Sequence, residues 1–200
     1  LITICVAAVL VSITSCTYGQ TTRAYRLDQE WAKIWINSDA SIDLFYNISI
    51  TLDSGDSIHF INVGQPQGDF TIGNATDQFG NDLATSDASS GGDYKVRVNL
   101  ASPLTAGETV WFTLTTNVAG MIYEDNETNV GMEFVPTYWS EATIGDLRVL
   151  IIIPQGVASS QIGTLKDLPW NNLLTEPDGR LAVFWERENL LAGDRFTCGV

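Results

Sequence analysis

The sequence predicts an all-β protein, and three observations carry that reading. From Tyr25 onward, apolar residues recur with a period of two. Short runs rich in Val, Ile, Thr and aromatics are separated by Gly, Pro, Asn, Asp and Ser at roughly ten-residue spacing. No stretch of helical period competes with them. Strands arranged in this way build sandwiches or barrels. The expected form is an immunoglobulin-like β-sandwich, two in tandem, behind an N-terminal apolar targeting segment.

Residues 1–20 begin with an apolar run, Leu1 to Ile13, and no charge precedes Arg23. The run is shorter than the roughly 20 residues a spanning helix needs and suits the apolar core of a secretory signal peptide. Three readings stay open. One is cleavage after Gly19, with Thr17 and Gly19 as the small residues. The second is cleavage before Cys16, where Ile13-Thr14-Ser15-Cys16 resembles a lipobox. The third is retention as an N-terminal anchor. All three place the protein outside the cytoplasm, secreted or anchored at the cell surface.

The clearest strand is Ser41–Asp53. Ile42, Leu44, Tyr46, Ile48, Ile50 and Leu52 fall on one face, and Ser41, Asp43, Asn47, Ser49, Thr51 and Asp53 on the other. Ser54-Gly55-Asp56 breaks it and Ser57–Val63 resumes, so the pair reads as a hairpin. Further strands are expected at Ala32–Asn37, Asp69–Ile72, Tyr94–Leu100, Thr109–Asn117, Val130–Val135, Leu147–Ile153 and Leu181–Trp185. Leu147–Ile153 is nearly all apolar and reads as covered on both faces. Gly73–Asp93 has no periodicity and reads as a long surface loop. A Leu-x-Ala-Gly-acid turn at Leu104–Glu108 recurs at Leu190–Asp194, with Gly supplying a positive φ. The recurrence suggests one sandwich over 24–120 and a second over 121–200, the latter truncated within a strand. A single elongated sandwich is the alternative.

Charge narrows the partners. Ten Lys+Arg face 24 Asp+Glu, for a net charge of -14. That excludes a nucleic-acid partner, which clustered cations would have to hold. An anionic membrane surface would repel the chain, so membrane contact is expected only through a terminal anchor or lipid. Cys5 and Cys16 lie in the targeting segment, which leaves Cys198 alone in the domain, expected as a buried small residue on a strand. The lone histidine, His59, sits in a strand, and no Gly-x-Ser-x-Gly elbow accompanies it. Neither a phosphate-binding glycine loop nor a Cys/His zinc cluster is present, so catalysis is not expected. Glu124-Asp125 with Glu127, and Glu186 with Glu188, are the nearest approach to the paired carboxylates of a glycosidase.

Calcium is the one cofactor the sequence suggests. Asp77, Asn81, Asp82, Asp87 and Asp93 offer hard oxygen ligands, although without the residue order of an EF-hand. Sequons at Asn47, Asn74 and Asn126 are candidate glycosylation sites. Tyr138-Trp139, after Pro136, is the best candidate for an exposed platform that stacks on sugar rings, whereas Trp111 and Trp185 read as core.

Several segments together resemble the extracytoplasmic β-sandwich region of ribophorin-I-like and related membrane-anchored proteins of unknown function. They are the Tyr25–Trp35 strand, Ser41–Asp53, Phe134-Val135-Pro136-Thr137-Tyr138-Trp139, Leu147–Ile153 with Pro154-Gln155-Gly156-Val157, and the final Leu-x-Ala-Gly-Asp turn. The resemblance implies an extracytoplasmic sandwich array tethered by a later helix, and it assigns no site residues. The expected function is that of a secreted or membrane-anchored, non-catalytic surface protein with a protein or glycan partner. A carbohydrate-binding or carbohydrate-active module and a surface-filament subunit are the alternatives.

Overall fold

The computed structural model describes residues 23–126, 129–165 and 168–200, so the segment expected to act in targeting, with Cys5 and Cys16, lies outside the described residues. The described residues form β1 (Ala24–Ile36), β2 (Ile42–Ser54), β3 (Ile58–Gly64), β4 (Phe70–Asp77), β5 (Thr85–Asp87), β6 (Lys95–Leu104) and β7 (Thr109–Val118). They continue with β8 (Tyr123–Asn126), β9 (Asn129–Gly131), β10 (Glu133–Phe134), β11 (Ile144–Ile152), β12 (Asn172–Thr175), β13 (Leu181–Leu190) and β14 (Cys198–Gly199). The fold is all-β, as the period of two requires.

A seven-stranded sheet in the order β12-β13-β11-β1-β2-β7-β4 forms one layer, and a three-stranded sheet β3-β6-β5 forms part of the other. Two small pairs, β8-β9 and β10-β14, complete the ladders. In the large sheet β1 runs parallel to β11 and antiparallel to β2. Alternation decides what each strand buries. Ile42, Leu44, Tyr46, Ile48, Ile50 and Leu52 of β2 are all buried, opposite Val63, Val96 and Val98 of the smaller sheet. Phe112, Leu114, Leu147, Val149, Ile151, Val183 and Trp185 extend this core along the large sheet.

Several expectations change. The Ser41–Val63 hairpin does not form, because β2 pairs with β1 and β7 whereas β3 pairs with β6. The chain crosses between layers at Gly55 (φ 101°), so the apolar faces of β2 and β3 meet instead of lying side by side. The expected division between 24–120 and 121–200 is likewise not where the sheet divides. Strands from both sides of it share one ladder, through β1-β11. The recurring turns do carry Gly107 (φ 87°) and Gly193 (φ 81°) in the left-handed region, each following a strand within the same molecule. The supposed 73–93 loop holds the end of β4, all of β5, and bridges Thr76–Asp82 and Ser90–Asp93.

One irregularity decides which side chains of β1 reach the core. Between Leu27 and Gln29 the β1-β2 register shifts by a bulge at Asp28. Before it Leu27 points inward; after it Glu30, Ala32 and Ile34 do. Without the extra residue Trp31 and Lys33 would face the core and Glu30 the solvent. Gly145 on β11 makes room, since a Cβ there would stand 3.0 Å from the Asp28 carbonyl oxygen.

Candidate functional site

The residues proposed for calcium are not brought together as ligands. Asp77 Oδ1 accepts the backbone amides of Phe79 and Asn81, each at 2.9 Å, and Oδ2 accepts the Asn81 side-chain amide at 3.0 Å. That local turn, led by the Asn81 side chain, holds the Asp77 carboxyl below the usual carboxylate range. Asp87 caps Ser89 at 2.8 Å, and Asp93 pairs with Lys95. Among the described residues no group of three or more His, Cys, Asp or Glu could hold a metal ion. Asp77, Asp87 and Asp93 each accept from N–H groups close by in sequence, as short polar side chains in turns commonly do.

The sugar platform also changes. Tyr138 is exposed, with the Arg195 guanidinium 5.5 Å from its ring, but Trp139 is buried beneath it in the core. Trp185 is core as expected, whereas Trp111 is exposed on the outer face of the large sheet. The three sequons differ in setting. Asn74 is exposed beside the β4 irregularity. Asn47 is half-buried on the outer face of the large sheet, opposite Trp31. Asn126 pairs with Asn129 in the β8-β9 hairpin. His59 is exposed, 3.4 Å from the Ser57 hydroxyl. Cys198 is buried on β14, where desolvation pushes its thiol up and Phe134 O accepts its weak S–H at 3.7 Å. Glu186 forms an ion pair with Arg148 at 3.0 Å, so the Glu186 and Glu188 pair is not a free acid–base couple.

Two features escape the sequence. The first is a shallow recess of about 250 Å³ on the outer face of the large sheet, lined by Trp31, Phe45, Asn47, Arg148, Leu150, Leu174 and Phe184. Arg148 stacks 4.6 Å from the Trp31 ring, while the Trp31 indole N–H donates to Asp146 at 3.0 Å. Lys33 lies 5.2 Å from the Trp35 ring and pairs with Glu176 at 3.0 Å. Leu150, expected to be covered, is half-exposed here, while Ile152 is buried.

The second is internal. Glu30 is fully buried, and its Oε2 accepts the Trp139 indole N–H at 3.0 Å. Its Oε1 is buried without a hydrogen-bond partner, as are the Tyr46 hydroxyl and Trp185 Nε1. Desolvation pushes the Glu30 carboxyl up to about 8, against the weaker opposing pull of Trp139 and the Thr137 amide. Burial pushes the Tyr46 phenol up as well.

No family model matches the chain, and no curated protein matches it in sequence. Solved structures share the fold. An M1 zinc metallopeptidase from Deinococcus radiodurans is 14% identical, with a TM-score of 0.59 over 90% of this chain and 43% of that one. A mutant of an M1 zinc metallopeptidase from the same organism, bound to a Tyr-Ser-Ala substrate, is 12% identical, with a TM-score of 0.59 over 88% of this chain and 42% of that one. A mutant of a two-domain M1 zinc metallopeptidase bound to L-arginine is 13% identical, with a TM-score of 0.59 over 90% and 43%. The chain thus spans less than half the length of the enzymes it matches. These neighbours overturn the expectation of a non-catalytic surface protein acting by binding or structure: the architecture is one that zinc metallopeptidases carry.

Proposed function

We propose that this chain is a β domain of an M1-like metallopeptidase, working beside a zinc-bearing domain that its own residues do not supply. The observation that carries the reading is likeness over 88–90% of this chain to 42–43% of M1 zinc metallopeptidases, one of them described as a two-domain enzyme. The zinc does not fit here. The sequence has one histidine, His59, which stands exposed, and the described residues offer no cluster of three ligands. The domain's place in such an enzyme is beside the site where peptide is cleaved.

The test is to isolate the native protein from its source through antibodies to this chain. Zinc content and hydrolysis of Tyr-Ser-Ala are then measured with and without chelator. One zinc per chain and chelator-sensitive hydrolysis are expected, with neither property in the 200-residue chain alone. Native protein without zinc and without hydrolysis would remove the reading.

A further inference from the structure

The buried group around Glu30 does what a hydrophobic residue could not. β1 carries Glu30 into the core only because of the Asp28 bulge. The carboxyl accepts from Trp139 Nε1 at 3.0 Å and is also influenced by the Thr137 backbone amide, and among the described residues it makes no ion pair. Trp139 belongs to the 135–143 crossover between β10 and β11, which lies outside the strands. That crossover is held by few other bonds: Gly193 N donates to Trp139 O at 3.1 Å, Leu27 N to Thr143 O at 2.9 Å, and the Thr137 hydroxyl to Gly64 O at 3.4 Å. Tyr25 packs edge-on against the Trp139 ring, with centroids 6.5 Å apart.

The charges around Glu30 give an ionised carboxylate no relief. From β2 the neighbouring titratable group is Tyr46, opposite Ala32 and one inward position along, whose phenol and the Glu30 charge oppose each other. Cys198 of β14 lies near Tyr46, and Arg187 of β13 acts on Cys198, placing that cation beyond the first neighbours. Arg187 is also engaged over the Phe196 ring at 5.1 Å. β3 and β6 turn Ile61, Val63, Val96 and Val98 inward, while His59, Lys95 and Arg97 lie on their outer side. β11 presents Leu147 and Val149, with Asp146 and Arg148 on the opposite face. On the crossover, Glu141 is exposed and its field falls on Tyr25, and Tyr138 is exposed beside Arg195.

We propose that Glu30 is a protonation-controlled latch: as a neutral acid it seats Trp139 and the 135–143 crossover on the large sheet, and its ionisation releases that crossover. The neutral acid keeps Oε2 as acceptor for the indole and carries its proton on Oε1, which has no hydrogen-bond partner. Loss of that proton leaves a bare charge in an apolar site without a cation, and the lowest-cost escape is to open the weakly bonded crossover and admit water. An open state in which Glu30 ionises normally gains about tenfold in population per pH unit until the closed-state titration is complete. The latch stands whether or not the chain serves a peptidase.

The experiment follows cleavage within 135–143 by a broad-specificity protease, with each rate normalised to an unstructured peptide at the same pH. In the wild type the normalised rate is expected to rise by roughly tenfold per unit between about pH 5.5 and 7.5 and to level off above about pH 8. Glu30→Gln, which keeps size and an acceptor but cannot ionise, is expected to be flat. A flat wild type, or a Glu30→Gln protein with the wild-type slope, overturns the latch. Should the variant fail to fold, infrared titration of the wild type decides: a protonated carboxyl band at pH 7 that disappears at higher pH supports the latch, and its absence at pH 7 refutes it.

Discussion

Individual side chains in this protein are read by what they are already bound to. Asp77 is an acid in an acid-rich loop, yet both its oxygens are taken by N–H donors of its own turn. Replacing it by Ala is expected to lower the melting temperature, whereas adding a chelator of calcium should leave the wild-type melt unchanged. Calorimetry on both checks this. Phe112 is fully buried between the layers, and Phe112→Ala should cost about 3–5 kcal/mol in urea unfolding, since a cavity remains where the ring stood. Alternation makes Phe112 and the β2 residues legible in the sequence. Glu30 is not legible there. The polar triplet Asp28-Gln29-Glu30 hides where the period shifts, and only the register across β1 and β2 reveals which of the three turns inward. Trp139 escapes for a related reason: its indole N–H has a buried acceptor that lies 109 residues away in sequence.

Elements are easier to find than their partners. β2, β6, β7 and β11 follow from alternation or apolar runs, because each buries a face along its length. β5, β8 and β12 are three or four residues long and carry too little pattern to be seen. Pairing is not visible in the sequence at all. Ser54-Gly55-Asp56 has the chemistry of a hairpin turn, but the apolar faces on either side gain more by facing each other across the core than by lying in one sheet. The bulge in β1 and the glycine on β11 form a matched pair at this scale. Gly145→Ala would press a methyl group on the Asp28 carbonyl oxygen at 3.0 Å. The expected cost is about 1–3 kcal/mol in urea unfolding. The parallel β1-β11 register should be disturbed along with it, which backbone chemical shifts of β1 would report.

For the molecule as a whole, pH works from two directions. Glu30 has an ordinary value of 4.5 and stands at about 8 in the fold, so the folded state keeps a proton that the unfolded chain has lost across that interval. Its contribution is therefore complete below the lower value and declines as pH rises through the upper. Asp39, Asp77, Asp87, Glu108 and Asp178 shift the other way, held down mainly by hydrogen bonds from Ser41, Asn81, Ser89, Thr105 and Arg180 respectively. Their contribution is lost as pH falls through the carboxylate range. Melting temperature is expected to peak near about pH 5 and to fall on both sides. Added salt at neutral pH should raise it by screening the net charge of -14. Scanning calorimetry across pH and ionic strength measures both. The central ladder also governs how the chain is made. β1 leaves the ribosome before the other described strands, but its parallel neighbour β11 ends at Ile152, so during synthesis one edge of β1 stays bare while β2 zips onto the other. A bare edge beside an apolar strand invites pairing with another nascent chain. A polypeptide halted after β7 is expected to self-associate, and its maker must either finish translation quickly or shield that edge until β11 arrives.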